Sequence, residues 1–325
     1  MWHLSSDEEN LSRTRTNLHT ARGGTSEGNR GAALLNVTFY GVRGSTPCPC
    51  DENLRYGGNT ACVALEAPGC DPIVLDLGTG LRYWGETLPK DGSFRGAALI
   101  THLHFDHVQG LPFFVPADRV GAQFDIYGPT QENGLSLEAA FEGFMCPPYF
   151  PVRFTELRGA YRFHDLTDCD VVVGDAKVKA RGVQHVGNTN GYRVEMAGAV
   201  VAYISDHQMP TDGSHVVPEA AIELADGADL LIHDAQYTPA EFAEKSHWGH
   251  CTVDFAVSVA REAGVKTLAL FHHDPAHGDD AVDRMLDLAL AARNGSGAPT
   301  DIIAAFEGLT VSLGTMVEPP LQAAP

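Results

Sequence analysis

The chain has 325 residues, enough for one large domain or two small ones around a substantial core. A formal net charge of −20 argues against a protein that embraces long nucleic acid, which needs a basic footprint. Seven cysteines without a CxxC pair, no apolar signal core and no run of membrane-spanning length are the expectation for a cytoplasmic protein that no membrane holds.

Residues 1–33 are polar, with scattered Arg beside Asp7-Glu8-Glu9, and are expected to be a disordered N-terminal extension rather than a targeting segment. The folded domain is expected to span 34–315, with 316–325 a flexible tail. Strands are predicted over Asn36–Tyr40, Thr60–Leu65 and Pro72–Asp76. Between the first two lie the turn-rich Gly41–Pro47 and the loop Arg55-Tyr56-Gly57-Gly58-Asn59, able to reach back over a site. Cys48-Pro49-Cys50 reads as a loop feature rather than a metal clip. Asp76, at a strand-to-helix junction, is by default a helix N-cap.

The next strand, Ala97–Ile100, runs into Thr101-His102-Leu103-His104-Phe105-Asp106-His107. His102 and His104, two apart, project to one side of an extended segment, and Asp106 and His107 follow where a helix can begin. A His-rich surface loop is the bland reading. It fails against the apolar continuation Val108-Gln109-Gly110-Leu111-Pro112-Phe113-Phe114. Three imidazoles and a carboxylate abutting a buried strand need partners, and metal ions satisfy them all.

Beyond the motif, Phe124–Pro129 reads as a strand and Ser136–Met145 as a helix. The Pro-rich aromatic loop Cys146–Pro151 is expected to plug the core or make a homodimer contact, with a lid over substrate as the second choice. Strands surround Gly174-Asp175 and end before His185, then follow at Gly191–Glu195, Val200–Asp206 and Ala228–Ala235. A helix with apolar face Val253, Ala256, Val257 and Ala260 opens after His247-Trp248-Gly249-His250-Cys251-Thr252. The strand Thr267–Phe271 ends in His272-His273, a helix covers Asp279–Arg293, and a strand pair is predicted over Ile302–Phe306 and Leu309–Leu313.

His102-Leu103-His104-Phe105-Asp106-His107 resembles the HxHxDH signature of the metallo-β-lactamase-fold hydrolases. Gly41–Thr60 resembles the opening hairpin of one branch, with its GxRGSxPxP…YGGNTxC pattern. Five motifs in order, from about 35 to 314, carry the resemblance. It implies a four-layer αββα sandwich and two divalent ions. His102, His104 and His185 would hold one; Asp106, His107 and His272 would hold the other, with His273 as rival to His272, and Asp206 would bridge them. Asp76 and, by likeness to the LLIHEAT element of ribonuclease Z-like members, Asp234 would orient the site. Thiolate-free ligation fits Zn²⁺ best, with Mn²⁺ or Fe left open. The redox di-iron relatives put a carboxylate where His104 stands, so the implied reaction is hydrolysis.

His250 resembles the extra histidine of phosphodiesterase members, which contacts phosphate or protonates the leaving alkoxide; its bland alternative is a capping role. Asp106 and His250 are therefore the catalytic candidates, and a small cyclic phosphodiester, such as a cyclic nucleotide or phosphoribosyl cyclic phosphate, the expected substrate. Ribonuclease Z-like processing of RNA is the nearest alternative. That branch carries a long basic arm between the third and fourth motifs, whereas His185 and Asp206 are only 21 residues apart. A thiolester or lactone hydrolase and a non-catalytic metal-binding scaffold are weaker readings. Arg43, Arg55 and Arg193 are expected phosphate or base contacts.

Overall fold

The computed structural model describes residues 34–295 and 297–314. The expected N-terminal extension and the tail over 316–325 lie outside them. Six strands come first: β1 (Leu35–Gly41), β2 (Cys62–Glu66), β3 (Ile73–Leu75), β4 (Arg95–Leu99), β5 (Gln123–Pro129) and β6 (Ala160–Leu166). Seven more follow: β7 (Cys169–Val173), β8 (Ala176–Gly182), β9 (Asn190–Met196), β10 (Ala199–Ile204), β11 (Leu230–Asp234), β12 (Thr267–Phe271) and β13 (Asp301–Ala304). The last, β14 (Thr310–Leu313), returns to the first sheet, giving orders β14-β1-β2-β3-β4-β5-β6 and β13-β12-β11-β10-β9-β8-β7.

Seven α-helices accompany them among the described residues: α1 (Leu81–Thr87), α2 (Phe105–Val108), α3 (Leu137–Phe144), α4 (Glu219–Ala225), α5 (Pro239–Lys245), α6 (Val253–Glu262) and α7 (Asp279–Ala292). The period-two alternation of side chains makes the layers. In β2, Val63 and Leu65 face the second sheet, meeting Val194, Tyr203 and Phe271 in the central core. Cys62 and Ala64 face outward onto Leu81 and Trp84 of α1. In the second sheet, Ala202, Leu231, Leu268 and Leu270 face outward onto α4, α6 and α7. Three apolar interfaces thus separate four layers, the expected αββα sandwich.

Parallel pairing positions the site. β3 and β4 run parallel, as do β10, β11 and β12, so their carboxyl ends meet at one edge. The loop after β4 carries His102 and His104, α2 carries Asp106 and His107, the turn after β10 carries Asp206, and His272 directly follows β12.

Several expectations change. The two last strands are not a pair: β13 joins β12 in one sheet and β14 joins β1 in the other. β6 was not predicted: Ala160–Leu166 is a half-exposed edge strand whose alternation, Tyr161 and Phe163 against Arg162 and His164, is short and breaks at Asp165. Nor were α4 and α5, each 7 residues long; α5 is instead marked by a Thr238–Glu241 capping box with Pro239 in its first turn. Asp76 caps no helix, since α1 begins after Gly80 and has no side-chain cap. The Cys146–Pro151 loop is part plug: Phe150 packs on the core while Tyr149 is 82% exposed.

Candidate metal centre

Three imidazole nitrogens converge at the first end of the cleft. His104 Nδ1 lies 2.7 Å from His102 Nε2 and 3.4 Å from His185 Nε2. Beside them, Asp106 Oδ2 lies 3.1 Å from His107 Nε2 and 3.2 Å from His272 Nε2. Asp206 stands between the two groups: Oδ1 is 3.7 Å from His185 Nε2 and 3.4 Å from His272 Nε2, and Oδ2 is 3.3 Å from His107 Nε2. All seven predicted ligands are therefore brought together.

The electrostatics describe a basin built for cations. Burial pushes the His102, His104 and His185 imidazoles down, which keeps them neutral and able to donate a lone pair. Burial would also push His107 and His272 down, but the Asp106 and Asp206 carboxylates outweigh it and hold both up. Burial would raise those carboxyls, yet the His107 and His272 imidazoles hold both far below the usual range. His107 Nε2, which faces both carboxylates, is buried and makes no hydrogen bond. A donor set of imidazoles and carboxylates, packed this closely with a buried ring nitrogen unpartnered among them, fits divalent metal ions.

Supporting contacts orient the donors. Asp76 accepts from the Thr101 amide at 2.7 Å, from His107 Nδ1 at 2.8 Å and from the Tyr203 hydroxyl at 2.8 Å. Its backbone is left-handed, φ 57°, as is that of His272, φ 58°, an uncommon conformation for non-glycine residues that clusters at functional sites. His185 Nδ1 donates to the Gly249 carbonyl at 2.6 Å, and the Ser45 amide donates to Asp106 Oδ2 at 2.7 Å. Two glycines are required by close approach: a Cβ on Gly44 would come within 2.4 Å of the His272 ring, and one on Gly249 within 2.5 Å of the His185 ring.

His250 lies beside the cluster, 3.9 Å from Asp206 Oδ1, and its Nδ1 donates to Asp234 Oδ2 at 2.8 Å. Asp234 is itself held by the amides of His207 and Gln236, each at 3.0 Å. The capping alternative for His250 fails, because the N-cap of α6 is Thr252. His273 turns away: its Nε2 donates to the Ala305 carbonyl at 2.9 Å, and burial pushes it down to about 3. His207 pairs with His233 at 3.0 Å, outside the cluster.

The three arginines are not brought to the cleft. Arg43 is fully buried and donates to the carbonyls of Gly57, Asp274 and His277, holding loops together. Arg55 forks onto Asp280 and Asp283 of α7, and Arg193 donates to the carbonyls of Leu224 and Asp226 at the end of α4. Their expected substrate contacts are replaced by structural ones. A 420 Å³ cleft over the cluster is instead walled by Ser45, Phe105, His247 and Trp248, with Trp248 54% exposed. Sequence reading gave these four no role; an aromatic pair flanking the histidine motifs, Phe105 and Trp248, was the available signal.

A two-sheet sandwich with an edge cluster of imidazoles and carboxylates defines a metal-dependent hydrolase. The sequence model for the Beta-lactamase superfamily domain matches residues 83–273, and the chain belongs to that family, in its ribonuclease Z and phosphodiesterase branch. It is 27% identical over 290 residues to a ribonuclease Z of Synechococcus sp. (strain CC9311), covering 74% of this chain and 88% of that one. A ribonuclease Z of Metallosphaera sedula is 30% identical over 270 residues, again covering 74% and 88%. Among solved structures, the metallo-β-lactamase-fold protein YhfI of Bacillus subtilis superposes with TM-score 0.65 at 18% identity, over 86% of this chain and 99% of that chain. The short form of human tRNase Z gives TM-score 0.62 at 22% identity, over 86% and 100%. These two likenesses concern the fold alone.

Proposed function

We propose that this chain is a dinuclear phosphodiesterase acting on small cyclic phosphodiesters, with His102, His104 and His185 holding one ion, Asp106, His107 and His272 the other, and Asp206 shared. Zn²⁺ is the preferred metal, because every donor is an imidazole or a carboxylate and none is a thiolate. Divalent ions held there supply charge neutralisation for the phosphate and a water acidic enough to attack near neutral pH. Everything else falls to the chain. Asp76 and the Gly249 carbonyl fix the tautomers of His107 and His185 by accepting from their Nδ1 atoms.

The observation that carries the phosphodiester reading is the His250–Asp234 pair. With Nδ1 committed to the carboxylate at 2.8 Å, His250 keeps Nε2 for the cleft, in the arrangement of a general acid that protonates a departing alkoxide. A thiolate or a stable enolate leaving group needs no such donor. Small substrates are favoured over RNA because no Lys or Arg lines the cleft, and because only a tight β9–β10 hairpin lies between His185 and Asp206. The ribonuclease Z relatives favour the second reading, RNA phosphodiester hydrolysis, and one experiment separates the two. Metal-loaded protein is assayed on 2′,3′- and 3′,5′-cyclic nucleotides, cyclic ribose phosphate and precursor tRNA, with and without chelator. Chelator-sensitive turnover of the small diesters, with tRNA untouched, is expected; the reverse pattern supports the second reading. Seven cysteines without a disulfide support a reducing, cytoplasmic location.

A further inference from the structure

Phe105 stands between two cavities. On one side it walls the metal cleft beside His104 and Asp106. On the other it walls an open groove of about 520 Å³ formed with Leu103, Phe144, Tyr149 and Gln109. No charged side chain lines that groove. Its aromatic surface is unusually open for a soluble chain: Phe105 is 69% exposed and Tyr149 82%. The Phe105 and Phe144 rings lie 5.8 Å apart at 41°, so they present a faceted apolar wall rather than a closed stack.

We propose that this groove seats the planar heteroaromatic base of a nucleotide whose phosphodiester lies at the metal cluster. The inference rests on the phosphodiesterase reading and narrows it. Two cavities sharing one side chain suit a ligand with a charged end and a flat apolar end joined by a short spacer. A nucleotide has that form. A base-free cyclic ribose phosphate would leave the aromatic groove empty. The groove's size is that of a small-molecule site, and stacking on aromatic faces accepts any base. The missing cations matter as well, since a second phosphate beside the base would have no partner.

Gly143, near the end of α3, lines the groove, and a Cβ there would meet no atom within 4 Å. Gly143→Trp therefore fills the groove without removing an existing contact, and Phe144→Ala removes one of its walls. Binding of AMP and of ribose 5-phosphate to metal-loaded protein is measured by titration calorimetry, alongside KM for adenosine 2′,3′-cyclic phosphate. AMP is expected to bind roughly 5- to 100-fold more tightly than ribose 5-phosphate. Gly143→Trp should erase that advantage and raise KM with kcat retained, and Phe144→Ala should reduce it. Equal affinity for the two ligands in the wild type overturns the proposal, as does an AMP advantage that survives in Gly143→Trp. Light scattering adds a further check: a wild-type dimer that dissociates in Gly143→Trp would mean that a second copy covers the groove. If the wild type hydrolyses no phosphodiester yet keeps a Gly143→Trp-sensitive preference for AMP, the phosphodiesterase reading fails while the base site stands.

Discussion

Asp206 faces imidazoles from both halves of the cluster, with His185 and His272 on one oxygen and His107 on the other. On the proposed two-ion arrangement, removing it would leave the donors for each ion incomplete and two neighbouring cations without a shared counter-charge. Asp206→Ala is expected to bring metal content, read by elemental analysis, well below two ions per chain; retention of two would show that it does not bridge. On the proposed reading His250, whose Nδ1 donates to Asp234, acts beside the metal ligands as a proton donor. His250→Ala should keep the metals and lower kcat roughly 10²–10⁴-fold. The loss should be smaller for a p-nitrophenolate leaving group than for a cyclic nucleotide, and equal losses would leave only a binding role. His273 gives a prediction about stability. Burial holds it down to about 3, against an ordinary value of about 6.5 in the unfolded chain. The unfolded state therefore binds the extra proton between those two values, and stability falls as pH drops through that window. At pH 5 this amounts to about 2 kcal/mol, so His273→Gln should flatten the difference in unfolding free energy between pH 8 and pH 5 by that amount. An unchanged pH slope would show that the ring is not buried neutral.

The elements explain which parts of the site were readable from sequence. His102, His104, Asp106 and His107 share one short exit from β4, so local spacing alone exposes them. His185, Asp206, His250 and His272 each come from a different strand end or turn, and a single histidine at a strand end has no local signature; only the ordered likeness to a family picked them out. The Asp234–His250 pairing depends on β11 and the loop before α6 meeting at the sheet edge, which no local pattern states. Arg43 has another role than expected because its fate is set by a cradle of carbonyls from two loops far apart in sequence. β6 escaped because its alternation covers only Tyr161 to His164 on a half-exposed edge. The same non-local logic governs Gly44, whose lack of a side chain admits the His272 ring at the end of β12. Gly44→Ala is expected to displace that ring, weakening metal binding at the Asp106–His107–His272 end while leaving secondary structure intact. Metal titration followed by calorimetry, with circular dichroism as the control, tests this; unaltered affinity would mean the loop yields without moving the histidine.

Across the whole molecule, the cluster ties the two sheets together at one edge, so filling it should stabilise the entire fold. The chain carries a formal net charge of −20, and the cluster adds buried Asp76, Asp106 and Asp206 at the junction between sheets. An ion that binds only the folded state at about 100 times its dissociation constant contributes about 2.7 kcal/mol, which corresponds to a rise in Tm of roughly 4–5 °C for a domain of this size. The rise should depend on pH with a definite sign. In the metal-free protein, His107 and His272 are held above their ordinary value by the neighbouring carboxylates, so protons take the place of the cations. A raised pKa contributes stability that is complete below about 6.5, the unfolded value, and is lost as pH climbs through the folded value. Bound metal needs those same imidazoles deprotonated, so it competes with the protons and gains as they leave. Scanning calorimetry of metal-loaded and chelated protein from pH 6 to pH 9 should therefore show a Tm gap that widens with pH. His102, His104 and His185, already held neutral by burial, add nothing to that trend in this range. A gap that stays constant would mean that protons do not occupy the cluster in place of the ions, and a gap that narrows would mean that His107 and His272 are neutral in the metal-free fold.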